Sequence, residues 1–220
     1  MSDEMQRRRD ERAIYFATLA AALPTDPEQR RAELVAAQDA YHAAIMGGDE
    51  EARLAADERA LVVLVALNDC DLFGFAVRDA APDVMLTECA AKPGTVPTWG
   101  QRGDFALTVD AMRVRIAFDP HLGSSMPAHI GLRVVDPGKP FISDTGFWSR
   151  WQSHYVAGQT VDEAARALIE QTLAESGRKM LDPQFRERRW AEPVPAWIDA
   201  ESTPAPAFYE ERGGQVAFAF

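Results

Sequence analysis

Cysteine and long apolar runs are scarce in this sequence, and each scarcity argues against a class of protein. The two cysteines, Cys70 and Cys89, form no CxxC pair, so we expect small buried hydrophobic residues rather than a disulfide or redox pair. The apolar run Ala60–Leu67 has eight residues, whereas a membrane span needs about 18. Charged and polar residues interrupt the N-terminal segment, which predicts a helix rather than a signal peptide. We therefore expect a cytoplasmic protein with no membrane association.

Motifs that hold metals or cofactors are also missing. The histidines form no HxH, HxxxH or HExxH pair, and no glycine-rich phosphate loop lies between a strand and a helix. The segment Asp136–Phe141 has one glycine and one lysine, but Pro140 cannot donate the backbone N–H that such a loop needs. We expect neither a metal nor a cofactor.

Basic residues are outnumbered, with 23 Lys+Arg against 34 Asp+Glu and a formal net charge of −11. Residues 1–69 carry 14 acidic and 8 basic residues, residues 70–158 carry 9 and 8, and residues 159–220 carry 11 and 7. A continuous phosphate-binding face is not expected on such a chain, so direct nucleic-acid binding is not predicted. The acidic balance favours instead a partner protein with a basic surface.

Residues 1–69 are predicted to form a helical N-terminal region of three helices. Pro24 ends the first helix, and Asp26 followed by Pro27 is typical of the start of the second. Gly47 and Gly48 end that helix, and Asp49 starts the third, which should form an antiparallel hairpin with the second. The apolar stripes expected to be buried are Leu34, Ala37, Tyr41, Ala44 and Ile45, then Leu54, Leu61, Leu64 and Val65.

Residues 70–190 are predicted to form an α+β module, in which a small antiparallel sheet packs with helices. Alternating apolar residues predict strands at Phe105–Val109, Met112–Phe118 and His129–Asp136, joined as a meander. Thr160 and Glu163 have the spacing of a capping box and predict a helix up to Gly177. The fold class is therefore α+β.

Residues 191–220 are predicted to be a proline-rich extended tail that ends in a short strand. Val216, Phe218 and Phe220 alternate at strand period, and an apolar terminal strand must pair with something. We favour pairing within its own sheet over donation to a partner. A homo-oligomer formed through the N-terminal helices or this strand is compatible with the pattern.

The densest chemical feature is the aromatic segment Phe147–Tyr155. Read as a helix, it places Phe147, Trp151 and Tyr155 on one stripe. Such a segment can form a protein-binding hot spot or a stacking surface for a base, or it can fill the space between sheet and helices. The candidate interaction residues are Trp148, Arg150, Trp151, His154 and Tyr155.

A second candidate is a cluster of polar residues near the ends of the predicted strands. A small hydrolase or nuclease could be centred there, with histidine as base beside a carboxylate or hydroxyl. The alternative is structural: His121 caps a turn, His129 opens a strand, and Ser143 with Asp144 caps a following helix. The members of this alternative cluster are Asp119, His121, His129, Ser143 and Asp144.

The segment HIGLRVVDPGKPFISDTGFWSRW, with KPGTVPTWGQRGDFALTVD upstream, resembles uncharacterised proteins encoded on proteobacterial plasmids and integrative elements. Those proteins often carry an ISETGY-type motif after a strand, which here reads ISDTGF at residues 142–147. The resemblance covers about residues 93–173 and implies a mobile-element accessory protein that acts inside the bacterial host. It carries over no catalytic residue.

Three functions remain open at this level. We favour a non-enzymatic accessory protein that acts by protein–protein interaction, as an acidic inhibitor of a host nucleic-acid-handling or defence complex of anti-CRISPR or anti-restriction type. The second is the hydrolase or nuclease, and the third is a nucleic-acid binder that uses Arg150 and Trp151.

Overall fold

A computed structural model describes residues 3–68, 79–124 and 126–198. The described residues form six α-helices and one four-stranded sheet, which confirms the α+β class. In chain order the elements are α1 (Asp3–Ala20), α2 (Pro27–Gly47), α3 (Glu50–Ala66), α4 (Ala81–Glu88), β1 (Gly103–Val109), β2 (Met112–Asp119), β3 (Ala128–Val134), β4 (Phe147–Gln152), α5 (Val161–Ser176) and α6 (Pro183–Ala191).

The helix ends lie where local sequence signals predict them. The carboxylate of Asp26 accepts the Gln29 N–H at the start of α2, and Gly48 closes that helix with a left-handed φ of 71°. The carboxylate of Asp49 accepts the Ala52 N–H at the start of α3. Thr160 and Glu163 form the predicted capping box of α5.

The predicted buried stripe of α2 is confirmed, because all five of its residues are buried. The stripe of α3 is wrong at Leu54, whose side chain is 54% exposed. Leu54 lies about 120° around the helix from Ala60, which is fully buried, and therefore points away from the core.

The sheet is an antiparallel meander in the order β1-β2-β3-β4. Alternate residues such as Val114, Ile116 and Ile130 are buried in one hydrophobic core shared with the helices. The opposite side, here called the open face, carries Arg115, Arg133 and their neighbours at half-buried positions. The helices of this core cover one side of the sheet. On the open face Glu192 forms an ion pair with Arg133, and the Trp197 ring lies against Arg115.

The helical interpretation of Phe147–Tyr155 does not hold, because Phe147–Gln152 form the edge strand β4. Backbone pairing with β3, in which Arg133 lies opposite Phe147 and Ala128 opposite Gln152, overrides the apparent helical spacing of the aromatic rings. Ser143 and Asp144 consequently precede a strand and do not cap a helix.

Two further predictions have different outcomes. Cys89 is a buried free cysteine, as expected, and burial raises the pKa of its thiol. Cys70 and the predicted terminal strand at 215–220 lie outside the described residues. None of the helices in the described ranges combines the length and apolar character that crossing a bilayer requires.

Candidate functional site

The candidate site is built where β2 ends, β3 begins and β4 ends. Asp119 pairs with His129, and His129 pairs with Trp151, so the three residues form one row across the open face. This row joins members of both sequence candidates, the aromatic segment and the polar cluster. Only the pairing of β4 with β3 brings them together.

Trp151 lies against two imidazole rings. Its ring centroid is 5.2 Å from that of His121 and 4.8 Å from that of His129, with interplanar angles of 34° and 51°. Trp151 nevertheless remains 48% exposed. We call His121, His129 and Trp151 the aromatic–histidine cluster: an exposed indole that is held in place by its neighbours.

His121 reaches this position through a tight turn after β2. Its φ is 51°, a left-handed value for a residue other than glycine, and its backbone N–H donates to the Asp119 carboxylate at 2.9 Å. The turn prediction for His121 agrees with this geometry. Asp119 also forms an ion pair with Arg102 at 3.1 Å, which fixes the carboxylate at the base of the turn.

The loop that follows is fastened to α3. The Gly123 N–H donates to the Asp57 carboxylate at 2.7 Å, and Gly123 has a φ of 73°. A Cβ at this position would lie 2.9 Å from the Leu61 Cα, so only glycine allows the loop to approach the helix this closely. Desolvation raises the pKa of Asp57, although the hydrogen bond from Gly123 acts in the opposite direction.

A cleft of about 280 Å³ lies between α3 and this loop. Its walls include His121 from the cluster, Met126 from the loop and Leu54 from α3. Met126 and Leu54 are 50% and 54% exposed. Apolar side chains from separate segments therefore border one polar opening beside Trp151.

Arg53 and two tyrosines form the inner wall of the cleft. The Arg53 guanidinium lies 5.6 Å and 5.7 Å from the ring centroids of Tyr41 and Tyr155 and is held by Glu50 at 2.6 Å. The two tyrosine hydroxyls are 3.1 Å apart. Burial raises the pKa of Tyr155, so this phenol stays protonated at ordinary pH. The centroid of the Tyr155 ring lies 5.0 Å from that of the buried Trp99, so Tyr155 also packs against the core.

The remaining aromatic-segment candidates are distributed over different surfaces. Trp148 and Arg150 alternate with Trp151 along β4 and lie on the other side of the strand, where Trp148 is half-buried against the core. His154 lies beyond the strand end, beside an adjacent cleft with Asp49 and Glu50. Arg150 and Trp151 therefore do not share the single face that the nucleic-acid hypothesis requires.

The polar candidates Ser143 and Asp144 lie near the opposite end of β4. The hydroxyl of Ser143 donates to the Phe147 carbonyl at 2.7 Å, and the hydroxyl of Thr145 donates to the same oxygen at 3.0 Å. Phe147 and Trp151 are four residues apart, about 13 Å along a strand. The structure thus brings Asp119, His121 and His129 together but does not bring Ser143 and Asp144 to them.

Burial lowers the pKa of His129, and the nearby His121 acts in the same direction. Within the described ranges, neither imidazole makes a side-chain hydrogen bond to a carboxylate or hydroxyl, and no group of three potential metal ligands is found.

Sequence reasoning missed Leu54, Met126, Arg53 and Asp57 as neighbours of the site. The first two are single apolar residues, and no local pattern distinguishes an exposed one from a buried one. Arg53 and Asp57 are four residues apart, which signals a shared side of α3 but not what that side contacts.

Comparison with known proteins extends the resemblance found in the central segment. Residues 102–201 match the family model described as the KlcB third domain. One Protein KlcB of Escherichia coli is 38% identical over 198 residues, which are 90% of this chain and 42% of the relative. Another Protein KlcB of Escherichia coli is 37% identical over 194 residues, 86% of this chain and 47% of the relative.

The chain therefore spans less than half the length of these curated relatives. No solved structure matches it. The chain is thus similar to KlcB proteins over most of its own length, and to the model of their third domain over residues 102–201.

Proposed function

We propose that this chain is a non-enzymatic accessory protein of a mobile genetic element that acts by binding another protein through the aromatic–histidine cluster. The observation that carries the proposal is Trp151, which is 48% exposed although its ring lies against two imidazole rings. The similarity to KlcB and the resemblance to plasmid-encoded proteins support the accessory role.

An exposed, positioned tryptophan suits a binding hot spot. Tryptophan is among the residues that contribute most to protein interfaces, because it buries a large area at little cost in conformational entropy. Leu54 and Met126 border the neighbouring cleft and add apolar surface. A partner side chain that enters the cleft would contact Leu54 and Met126 at its rim and Arg53 at its inner wall.

The charge of the adjacent helix favours a basic partner. Glu51 and Glu58 are exposed on α3, on either side of Leu54, whereas the nearby Glu50 is paired with Arg53. Acidic side chains around an apolar centre steer a basic surface toward the site and select against acidic ones. The partner we propose is a nucleic-acid-handling or defence complex of the host or plasmid, whose basic groove the chain occupies as an inhibitor of anti-CRISPR or anti-restriction type.

Co-purification of the tagged full chain from its native host at low salt tests the proposal. We expect one protein complex to be enriched, and to be released when the salt concentration is raised, because exposed charge attraction is screened by salt. Recovery of no partner at low salt would refute the proposed function.

The hydrolase or nuclease remains a second candidate because Asp119, His121 and His129 lie together. It predicts that His129→Ala abolishes a hydrolytic activity on nucleic acid or ester substrates. Equal rates for wild type and His129→Ala in such assays would exclude it.

A further inference from the structure

The strand β4 is an edge of the sheet that differs from the opposite edge. At the other side of the sheet α5 packs against β1, where the Arg166 guanidinium donates to the Thr108 carbonyl at 3.2 Å. Beyond β4 the structure describes no further strand. Among residues 3–68, 79–124 and 126–198, β4 is thus an edge whose outward backbone groups are a template for another strand.

The backbone groups that point outward from β4 follow from its pairing with β3. The Val134 N–H donates to the Gly146 carbonyl at 3.0 Å, and hydrogen-bonded positions alternate along an antiparallel strand. Trp148 and Arg150 therefore bond to β3, whereas Ser149 and Trp151 direct their N–H and C=O groups to the outside.

The backbone N–H and C=O groups of Phe147 also point outward, but both already form hydrogen bonds. Its carbonyl accepts both the Ser143 and the Thr145 hydroxyls, and its N–H donates to the Thr145 hydroxyl at 3.3 Å. The Ser143 and Thr145 hydroxyls therefore occupy the outward backbone groups of the first residue of β4. The open part of the edge is centred on Ser149.

We infer that the edge strand β4 pairs antiparallel with β4 of a second copy of this chain, with the two-fold axis at Ser149. In this arrangement Ser149 lies opposite Ser149 of the second copy, and the two sheets join into one of eight strands. Phe147 lies opposite Trp151 of the second copy, and Trp148 opposite its Arg150. The Trp151 N–H of the second copy then replaces one of the two hydroxyls that donate to the Phe147 carbonyl, and the Trp151 C=O replaces the Thr145 hydroxyl as acceptor of the Phe147 N–H.

The side chains of β4 favour a second copy as the occupant, because its sequence is complementary to itself in this register. Phe147 and Trp151, which are 40% and 48% exposed, form an aromatic pair twice on the open face. On the other face each Arg150 meets Trp148 as a cation–π pair, and no like charges lie directly opposite. The register with its axis at Arg150 instead opposes two guanidinium groups and is disfavoured.

The exposure of Arg150 indicates that the described helices leave space beside β4. Arg150 lies on the side of the sheet that the helices cover, yet it is exposed, so the helical layer does not extend over this edge. Because the contact is made by the backbone of β4, the inference does not depend on the proposed basic partner. The pairing would place two aromatic–histidine clusters on one continuous open face.

Sedimentation equilibrium of the full chain over a wide concentration range tests the inference. We expect a mass that rises from 24.3 kDa to twice that value. Ser149→Pro should remain at the mass of one chain, because proline removes the outward N–H while an edge strand tolerates it. Ser149→Ala keeps the N–H and should dimerise like the wild type.

Amide hydrogen exchange provides a second measurement that does not need a variant. The Ser149 and Trp151 amides should gain protection as the concentration rises, whereas the Trp148 and Arg150 amides, bonded to β3, should be protected throughout. Higher salt should strengthen the dimer, because each copy carries a net charge of −11, whereas it should release the basic partner.

Two results would overturn the inference. One is a mass of a single chain at every concentration, with Ser149 and Trp151 amides that exchange at a constant rate. The other is a dimer that Ser149→Pro leaves intact, which would place the contact elsewhere. Neither result bears on the partner recovered at low salt, so failure of the dimer and failure of the proposed function are separable.

Discussion

At one end of the β3–β4 pair Trp151 is 48% exposed and lies against two imidazole rings. Near the other end the hydroxyls of Ser143 and Thr145 donate to the backbone carbonyl of Phe147. Both ends combine aromatic and polar residues within a few positions of each other in sequence. At the Ser143 end the Ser143 and Thr145 hydroxyls are hydrogen-bonded within the ISDTGF segment itself. At the Trp151 end the side chains remain available for contact.

The largest expected effect is on the turn at the Ser143 end. Gly146 has a φ of 69°, and a Cβ there would lie 2.8 Å from both the Leu181 Cδ2 and the Val134 Cγ1 atoms. Because both neighbours are buried, Gly146→Ala should lower the free energy of unfolding by about 3 kcal/mol. Urea unfolding measures this change.

Gly158→Ala is the matched control for that variant. Gly158 has a φ of 77°, but no atom lies within 4 Å of the position that a Cβ would take there. Only backbone strain applies, so the loss should be about 1 kcal/mol. Equal losses for the two variants would show that the packing around Gly146 does not hold the turn.

The next effect concerns binding at the Trp151 end. Trp151→Ala should weaken association with the basic partner about 30-fold, the size typical of a tryptophan hot spot. Trp190→Ala is the control, since Trp190 is a tryptophan on α6 that is 61% exposed and lies outside both the cleft and β4. Titration calorimetry with the recovered partner distinguishes the two, and equal weakening by both variants would argue against a localised site.

The third effect is a coupling between the two hydroxyls. Ser143→Ala alone should cost about 0.5 kcal/mol, because the Thr145 hydroxyl still donates to the Phe147 carbonyl. Ser143→Ala combined with Thr145→Val should cost more than the sum of the single variants, since the carbonyl then loses both donors. Strict additivity in urea unfolding would contradict the shared hydrogen bond.

The smallest effect is the pH dependence of stability at His129. Burial lowers its pKa below the ordinary value of 6.5, so the unfolded chain binds the proton more readily than the folded one. Stability should therefore fall as the pH drops below about 6.5, and His129→Gln should reduce that fall. Burial also lowers the pKa of His42, so part of the fall in stability should persist in the His129→Gln variant.

Local signals predict the parts of the fold that local contacts determine. Asp26, Gly48 and the Thr160 capping box act on their own helix ends, and alternation in β2 needs only one buried side. The sequence of β4 suggests a helix instead, because Phe147, Trp148 and Trp151 break the alternation of a strand. An edge strand has few buried positions, so its sequence carries a weak strand signal.

The sequence predicts the individual residues of the candidate site but not that they contact one another. His121, His129 and Trp151 are all candidates from the sequence alone, yet they belong there to two different hypotheses. Their contact depends on the pairing of Asp119 with His129 and of His129 with Trp151. Such pairing joins residues that are distant in the chain, and no local pattern specifies it.

The most direct test of the central claim is quantitative co-purification at low salt with wild type, Trp151→Ala and Ser143→Ala in parallel. We predict that wild type and Ser143→Ala recover the same partner in equal amounts, and that Trp151→Ala loses it while remaining folded. Equal recovery by all three proteins would contradict the assignment of the exposed tryptophan end as the binding surface.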